Sequence, residues 1–258
     1  MPCLFVNHGG GPMPLLGMDD VSKNDLESIS AHIPIRPSAI LVVSAHWEAS
    51  PVRVTGSEHP PLLFDYYGFP DEAYELNYPV KGDPILARKI KDLLQSKAGL
   101  DCQLDNKRGY DHGVFVPLLL AFPKGDIPVL EMSLHPSLDP ALHIKIGQAL
   151  ESLRDEGVLI LGSGMTFHNM RAFRAGSRSS AGEKFDQELQ SAVTHPDIKE
   201  RESKMSNWEA LTEARFSHPR EEHLMPLHVC VGAAGNDLGK VMHNSSILGA
   251  KVTSFSFS

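Results

Sequence analysis

Short apolar runs alternate with amphipathic stretches along the chain. Residues 4–6, 40–44, 127–132 and 158–161 are apolar runs of strand length, and residues 252–257 alternate apolar and polar positions. The alternating segment predicts a final strand with one solvent-facing side. Strands interleaved with helices are typical of a parallel sheet covered by helices on both faces. We therefore expect an α/β fold of three layers, with a central, mostly parallel sheet flanked by helices.

Helices are predicted where apolar residues recur at helical spacing. Two of them, within residues 83–99 and 139–157, begin with an Asp-Pro pair and end near a glycine. Aspartate supplies an N-cap, proline suits the first helical position, and glycine suits the helix end. Residues 183–193 and 199–216 are amphipathic and predict two more helices. A further apolar run predicts a helix that begins near Pro117.

The 258 residues carry a formal net charge of −8, with 41% hydrophobic and 22% charged residues. This composition is ordinary for a soluble protein, and we expect a single domain spanning residues 1–258. The acidic balance argues against nucleic acid as a partner, because phosphate binding needs clustered lysine and arginine. The nearest approach to such a cluster, Arg171, Arg174 and Arg178, is interpreted as a solvated loop.

Cysteine content and apolar run length bear on the compartment. The 3 cysteines show no C-x-x-C spacing, which argues against a structural zinc site or a disulfide framework and favours a reducing compartment. The sequence begins without a signal-peptide pattern, and its longest apolar run, residues 114–122, is too short to cross a bilayer. We expect a cytoplasmic protein without a membrane partner, as a monomer or a small homo-oligomer.

Histidine follows several of the predicted strands. His8 comes after the first, His46 after the second, and His168 a few residues after the run at 158–161. Ligands of open α/β sheets bind outside the carboxyl ends of the parallel strands. Three imidazoles on that rim, beside glycine-rich loops, provide the donors that a metal ion needs.

Other histidines among the 13 are interpreted as structural or surface residues. They lie in polar or helix-surface contexts, before a proline, or on an apolar helix face, and they are His32, His59, His143, His195, His135 and His228. An isolated histidine is more often a packed or solvated residue than a ligand.

Two further histidines stand beside acidic residues. Asp111 and His112 precede the predicted helix, where Asp111 could act as its cap and His112 could be incidental. Glu222 and His223 stand shortly before Pro226, which fits only a first helical turn, so they lie at a helix start. Because the two are neighbours in sequence, Glu222 and His223 are not expected to point the same way.

Several other catalytic motifs are absent from the sequence. Gly162-Ser163-Gly164 is not a G-x-S-x-G nucleophile elbow, and no G-x-x-x-x-G-K-[ST] phosphate-binding loop occurs. No H-E-x-x-H zinc-protease pair occurs either. These checks leave the histidine-rich rim as the candidate chemistry.

A set of short motifs occurs in one order along nearly the whole chain. They are Asn7-His8-Gly9-Gly10, Val43-Ser44-Ala45-His46-Trp47, Gly68-Phe69-Pro70, Asp111-His112-Gly113 with Val116-Pro117-Leu118, Gly162-Ser163-Gly164 with His168, and Glu222-His223 with Pro226-Leu227-His228. Their order and spacing together are specific. The chain resembles the class III extradiol ring-cleaving dioxygenases of the LigB-type superfamily, and within it the 4,5-DOPA dioxygenase extradiol branch.

The resemblance implies a single divalent metal ion held by His8, His46 and His223. It also implies His168 beside the metal, as a general base or a fourth ligand, and His112 in the substrate pocket. The implied reaction inserts both atoms of O2 into a small catechol-type substrate next to the diol. Fe(II) is the implied ion for turnover, and Zn(II) is another ion that these donors can hold.

Some alternatives stay open. More distant relatives use a carboxylate as third ligand, so Glu222 is an alternative to His223, although the closer branch has histidine there. Phe115 stands where relatives often have tryptophan, which predicts a reshaped substrate pocket. A zinc-dependent hydrolase and a non-catalytic binding protein are the alternative functions. Candidates for contacting the side chain of the substrate are Tyr66, Tyr67, Tyr110 and an arginine that the sequence does not single out.

Overall fold

The apolar runs pair side by side at the centre of the fold. The computed structural model describes residues 1–175 and 182–258. Its strands are β1 Cys3–Asn7, β2 Ala39–Glu48, β3 Val52–Thr55, β4 Cys102–Asp105, β5 Val129–Leu134, β6 Val158–Gly164, β7 Gly239–Ile247 and β8 Ala250–Phe257. They form one 8-stranded sheet in the order β4-β3-β5-β2-β6-β1-β8-β7.

The centre of the sheet is parallel. β5, β2, β6 and β1 are neighbours that run in one direction, while β8 pairs with β1, and β7 with β8, in the antiparallel sense. The predicted mostly parallel sheet is therefore confirmed. Because β1, β2 and β6 share a direction, their carboxyl ends lie together at one edge of the sheet.

Helices cover both faces of the sheet. They are α1 Asp20–Glu27, α2 Pro84–Leu93, α3 His112–Ala121, α4 Pro140–Leu150, α5 Met170–Arg174, α6 Glu183–Val193, α7 Ile198–Ser206, α8 Ala214–Ser217 and α9 Met225–Ala233. Leu4 and Val6 of β1 pack in a core with α1 and α3, whereas Phe5 packs in a second core with α2, α4, α6, α7 and α9. The predicted three layers are confirmed.

Both Asp-Pro helix starts are confirmed. The Asp83 carboxylate accepts from two backbone N–H groups of the first turn, at 3.0 and 2.9 Å, and that of Asp139 accepts from one at 3.0 Å. Gly99 and Gly157 adopt left-handed φ values of 64° and 82° where the two helical segments end. Sequence chemistry at the ends therefore determines where these helices begin and stop.

Helix α3 begins at His112. The sequence pattern predicted a start near Pro117, which is wrong. A residue with an N–H at position 117 would donate to the carbonyl of Gly113, but proline has none. That carbonyl instead accepts from the hydroxyl of Ser163. Asp111 is the N-cap residue, yet its side chain makes no capping hydrogen bond.

The single helix predicted over residues 199–216 is wrong. Helix α7 ends at Ser206, a 3₁₀ turn covers Trp208–Ala210, and the short α8 follows. Glu213 has a left-handed φ of 60°, which a continuous right-handed helix does not allow. The apolar positions of this stretch are therefore buried by three short segments and not by one helical face.

The solvent-facing side predicted for the last strand is also wrong. Thr253 and Ser254 of β8 are buried. The Thr253 hydroxyl donates to Asp186 at 2.6 Å, and Ser254 Oγ accepts from the Asn7 amide at 3.0 Å. β7, which the sequence pattern did not predict, covers the outer edge of β8. Polar side chains tolerate burial when they are hydrogen-bonded, as these are.

Three smaller expectations concern charge, thiols and membrane contact. Arg171 and Arg174 lie in α5 and not in a loop, and Arg178 lies outside the described residues. All three cysteines are buried and unpaired. Within residues 1–175 and 182–258, no helix combines the length and apolarity that crossing a membrane requires.

Candidate metal centre

A cavity of about 370 Å³ opens where β1, β2 and β6 end. Its lining includes all five histidines that the sequence singled out as site residues: His8, His46, His112, His168 and His223. They come from positions spread over most of the chain, and the parallel sheet brings them to one edge.

His8 directly follows β1, and its neighbours determine its tautomer. The hydroxyl of Ser163 donates to the carbonyl of Gly113, so it can only accept from His8 Nδ1–H, 2.9 Å away. His8 Nε2 therefore keeps its lone pair. This nitrogen lies 3.1 Å from Nε2 of His46, so the two rings face each other through the atoms that bind metals.

His46 lies inside a strand and not beyond its end, because β2 continues to Glu48. The pairing of β2 with β5 shifts register between Val43 and Glu48. Such irregularities redirect side chains near active sites. The Ser44 hydroxyl accepts from His46 N at 3.2 Å and donates to the Asp111 carboxylate at 2.8 Å, which fixes the backbone here.

Two glycines allow other elements to approach the cavity. A Cβ on Gly113 would lie 2.6 Å from the Ser44 hydroxyl, and a Cβ on Gly164 would lie 2.1 Å from the carbonyl oxygen of His223. That carbonyl accepts from Met165 N at 3.0 Å. The start of α3 and the loop before α9 can therefore pack directly on β2 and β6.

Glu222 contacts two of the histidines. Its Oε1 lies 2.9 Å from Nδ1 of His223 and 3.1 Å from Nδ1 of His168. The expectation that Glu222 and His223 point apart is wrong, because the carboxylate folds back onto the ring of its neighbour. The rings of His168 and His223 stack with centroids 3.4 Å apart. A carboxylate accepts only, so both rings donate through Nδ1 and keep a lone pair on Nε2.

Asp65 holds His112 in the same way. Its Oδ1 accepts from the His112 backbone N–H at 3.0 Å and from His112 Nδ1 at 2.8 Å. Sequence reasoning missed Asp65. The available signal was an acidic residue between aromatic ones, at Phe64-Asp65-Tyr66-Tyr67, where a carboxylate needs a specific partner. Burial opposes its ionisation, but the hydrogen bonds that His112 donates outweigh it and lower the pKa of Asp65 to about 2.

Burial keeps the central imidazoles neutral. It lowers the pKa of His8 and of His223 well below the usual range, with the other cavity histidines adding to the effect. Burial, followed by the nearby His112, lowers the pKa of His46 to about 4. Metal ions bind the neutral imidazole, so these residues are in the protonation state of ligands at neutral pH.

The donor set fits a divalent metal ion. One ring nitrogen from each of His8, His46 and His223 lies within 4.8 Å of the others. Two nitrogens that are each about 2.1 Å from one ion lie roughly 3.0–3.4 Å apart, and the Nε2 atoms of His8 and His46 are 3.1 Å apart. Two more groups have their candidate ligand atoms within 4.8 Å of one another: His46–Asp65–His112 and His168–Glu222–His223. Their carboxylates already accept imidazole N–H groups, which makes them poorer candidates for a metal ion.

Comparison with known proteins identifies the family. Residues 16–256 match the family model described as "Catalytic LigB subunit of aromatic ring-opening dioxygenase". The chain belongs to this family. It is an aromatic ring-opening dioxygenase of the class III extradiol type, as the motifs predicted. The family is metal-dependent, and the histidine cluster gives this dioxygenase a site that could bind a metal.

Relatives match the dioxygenase over almost its whole length. "Dioxygenase tasH" of Hapsidospora irregularis is 38% identical, over 98% of this chain and 84% of its own. "4,5-DOPA dioxygenase extradiol" of Beta vulgaris is 40% identical, over 93% of this chain and 90% of its own. The crystal structure of an uncharacterized protein from Escherichia coli K12 superposes with a TM-score of 0.82 at 29% identity, covering 100% of both chains.

A network of charged side chains packs beside the cavity histidines of this dioxygenase. Arg108 lies over the ring of Trp47 at 4.5 Å and pairs with Asp111 at 2.8 Å and with Glu131 at 3.3 Å. Burial and then the nearby Asp111 raise the pKa of Glu131 well above its usual range. The network joins β2, β5 and the start of α3, the elements that carry His46 and His112.

The aromatic candidates divide into wall and core residues. Tyr66 and Tyr67 line the cavity. Tyr110 is fully buried and donates to the carbonyl of Val129. Phe115 is also buried and packs against Tyr66 with ring centroids 6.3 Å apart. Its effect on the pocket can therefore only be indirect, through the position of Tyr66.

Histidines outside the cavity behave as structural residues, with one correction. His143 was expected in a polar or helix-surface context but is fully buried. Its Nδ1–H donates to the carbonyl of Asp139 at 2.7 Å, and its Nε2 accepts from His135 N at 3.2 Å. His228 is buried on α9, as predicted.

Proposed function

We propose that this dioxygenase opens catechol-type rings beside the diol, with O2, at one divalent metal ion held by His8, His46 and His223. The convergence of three neutral imidazoles at the floor of one cavity carries the proposal. Relatives named 4,5-DOPA dioxygenase extradiol support a catechol as the substrate. An all-nitrogen donor set with room for substrate suits oxygen chemistry at a non-haem metal.

His223 is the third ligand in this proposal, and Glu222 orients it. Glu222 Oε1 already accepts from the Nδ1 atoms of His223 and His168. Burial opposes its ionisation, but the hydrogen bonds from His168 and His223 outweigh it and lower the pKa of Glu222. A carboxylate behind a ligating imidazole fixes the ring and its tautomer, which is a recurring arrangement around protein-bound metals.

His168 is the general base in this proposal. When bound, a divalent ion favours the ionised diol, and Fe(II) adds the redox chemistry that O2 requires. Since Glu222 holds Nδ1–H of His168, its Nε2 is free to take the proton that leaves a substrate hydroxyl. The side chain is 21% exposed, which gives the proton a route to solvent.

His112 positions the substrate. Asp65 holds its Nδ1–H and its backbone N–H, so the ring is fixed and Nε2 can accept a hydrogen bond from a substrate hydroxyl. His112 is 7% exposed and lies against His46 with ring centroids 3.9 Å apart. It therefore stands directly beside the proposed metal ligands without being needed as one.

Fe(II) is the ion for turnover in this proposal, and Zn(II) is its competitor. Imidazole nitrogen suits both ions, and the general affinity order places Zn(II) above Fe(II) for one set of donors. Purified protein can therefore hold zinc and turn over slowly. Metal content has to be measured together with activity.

The test is anaerobic reconstitution of metal-free protein with Fe(II) or with Zn(II), followed by air and a panel of catechols. We expect oxygen uptake and a yellow ring-opened product with Fe(II) and neither with Zn(II). His143→Gln is the matched control, because it removes a buried histidine outside the cavity and leaves the proposed ligands intact.

Three outcomes would contradict the proposal. Protein that holds one Fe(II) per chain and consumes no oxygen with any catechol would exclude ring opening of this class. Product formation without oxygen, supported by Zn(II), would indicate the hydrolase alternative, and tight catechol binding without conversion would indicate a binding protein.

A further inference from the structure

The walls of the cavity differ in chemistry from its histidine floor. Above the floor, the lining is made largely of sulfur-containing, aromatic and aliphatic side chains from four separate stretches of the chain. They include Met13, Phe69, Met165, Met170, Phe173 and Ile247. Methionine adapts its shape to an apolar ligand, and mixed aromatic and aliphatic walls bind apolar groups.

Charged side chains are scarce in this lining. Among the lining residues that the structure describes, none is lysine or arginine, and the carboxylate is that of Asp65. Asp65 Oδ1 already accepts two hydrogen bonds from His112. A substrate carboxylate placed against these walls would lose water and gain no cation from the lining residues that the structure describes, and desolvation of an unpaired charge is strongly unfavourable.

The mouth of the cavity is apolar as well. Tyr67 is 90% exposed, Leu248 is 60% exposed and Met170 is 49% exposed, and the three come from different segments. Leu248 stands at the β7–β8 turn with a left-handed φ of 49°. Glycine or asparagine would adopt that conformation with less strain, and such strain often marks functional positions. An exposed apolar rim is typical of a binding groove.

We infer that the preferred substrates are catechols with an uncharged, apolar ring substituent, alkyl or aryl, and not an amino-acid side chain. This inference rests on the proposed function. The diol lies at the histidine floor, and the substituent extends along Met165 and Phe173 toward Met170 and Leu248. Burial of each added methylene raises kcat/KM by about fourfold until the chain reaches the rim.

A second cavity offers the opposite chemistry. It shares His168 and Met170 with the first, and its lining includes Arg171 and Arg220. Arg220 is paired with Glu48 at 2.6 and 2.7 Å, while Arg171 is exposed. Of the two linings, as far as residues 1–175 and 182–258 form them, this one offers a carboxylate-bearing substituent a cation. The two cavities therefore predict opposite substrate preferences.

The test compares catechols of matched length on the Fe(II)-loaded full chain. One series carries 4-ethyl, 4-propyl and 4-butyl groups, and the other carries acetate, propionate and alanine side chains at the same ring position. We expect kcat/KM to rise along the alkyl series and to fall about tenfold or more when the terminus is charged. Anaerobic binding titrations with both series give the same ranking without turnover.

Failure of this inference can be separated from failure of the proposed function. A preference for carboxylate-bearing catechols, in kcat/KM and in binding, would overturn the apolar assignment and leave ring opening intact. Absence of turnover with every catechol would contradict the proposed function, and the binding titrations would still decide between apolar and charged substituents.

Variants locate the substituent. Leu248→Arg places a cation at the apolar rim, and we expect it to raise kcat/KM for the carboxylate series severalfold and lower that for 4-butylcatechol. Leu238→Arg is the matched control, since Leu238 is a 48% exposed leucine outside the cavity lining. If Leu248→Arg leaves both series unchanged and Arg171→Gln abolishes turnover of carboxylates, the substituent lies in the second cavity and the inference is wrong.

Discussion

The cavity histidines and the buried core histidines of this protein differ in what holds the ring. In the cavity, side-chain acceptors hold the Nδ1–H group of four of the five histidines; they are Ser163 for His8, Glu222 for His168 and His223, and Asp65 for His112. In the core, backbone carbonyls accept from the ring; they are Asp139 for His143, Thr166 for His218, and Leu224 or Met205 for His228.

The difference shows that burial alone does not identify a metal ligand. His228 is as buried as His8, but both of its nitrogens lie within 3.1 Å of backbone carbonyls. In the cavity, the acceptors fix one nitrogen and leave the other with a lone pair near its neighbours. A ring is available to a metal when its second nitrogen keeps a lone pair beside the donor atoms of other side chains, as Nε2 of His8 does beside Nε2 of His46.

Removal of a proposed ligand should have the largest effect. His8→Ala, which leaves His46 and His223 as donors, should abolish stoichiometric metal binding and reduce ring opening to background. Metal analysis after anaerobic Fe(II) loading, with oxygen uptake, measures both. His228→Asn is the matched control from the core group and should retain one metal per chain; equal metal loss in both variants would erase the distinction between the groups.

Removal of the proposed base should spare the metal. His168→Ala is expected to lower kcat by about 10²–10⁴-fold, the usual effect of losing a general base, while most of the Fe(II) stays bound. Single-turnover kinetics and metal analysis on one preparation separate the two effects. Metal loss equal to that of His8→Ala would instead make His168 a fourth ligand.

The two carboxylates that orient rings should differ in what they control. Glu222→Gln replaces the charged acceptor of both Nδ1–H groups with a neutral amide oxygen, so we expect metal affinity or activity to fall about 10–100-fold. Asp65→Asn affects His112, which is not a proposed ligand, so kcat should fall with metal affinity retained.

Competition with a metal chelator measures the affinities of the two carboxylate variants. Glu221→Gln is the matched control for Glu222→Gln, because Glu221 is the neighbouring, similarly buried carboxylate and pairs with Arg215. If Glu221→Gln lowers the metal affinity as much as Glu222→Gln does, the contact between Glu222 and the imidazole rings is not what orients His223.

Protonation of a core histidine should lower the free energy of unfolding at acid pH. This effect is smaller than those of the substitutions in the cavity. Burial lowers the pKa of His143 to about 4 from an ordinary value of 6.5. The unfolded chain therefore takes up a proton as pH falls below 6.5, which the folded protein does not do until about pH 4. The free energy of unfolding falls over this window, by about 1.4 kcal/mol per pH unit for one such group.

Removing that group should flatten the acid dependence. His143→Gln keeps a polar side chain but cannot take up the proton, so its unfolding free energy should fall less steeply between pH 6.5 and pH 4. Denaturant titrations of wild type and variant, both metal-loaded, give the difference in slope. Identical slopes would show that protonation of His143 is not coupled to unfolding.

Sequence reasoning located the proposed ligands but not the groups that orient them. His8, His46 and His168 were found because apolar strand runs precede them, and the motif resemblance added His112 and His223. Asp65, the Ser163 hydroxyl and the bridging contact of Glu222 were missed. They depend on loop paths and side-chain rotamers, which strand and helix periodicity does not determine.

The same limit applies to the fold. The centre of the sheet and the helices with Asp-Pro starts were predictable, because local chemistry and periodicity agree there. The breaks between α7 and α8 and the early start of α3 were not. The Gly113 carbonyl, which has no N–H partner at Pro117, accepts from the Ser163 hydroxyl of β6. A local sequence pattern does not predict such a long-range partner.

The most direct measurement is anomalous diffraction at the iron absorption edge from crystals of the full chain loaded anaerobically with Fe(II). One peak is expected, within bonding distance of Nε2 of His8, His46 and His223, with Glu222 still hydrogen-bonded behind the rings. A peak at the group of His46, Asp65 and His112, or one coordinated by the Glu222 carboxylate, would contradict the proposed metal centre.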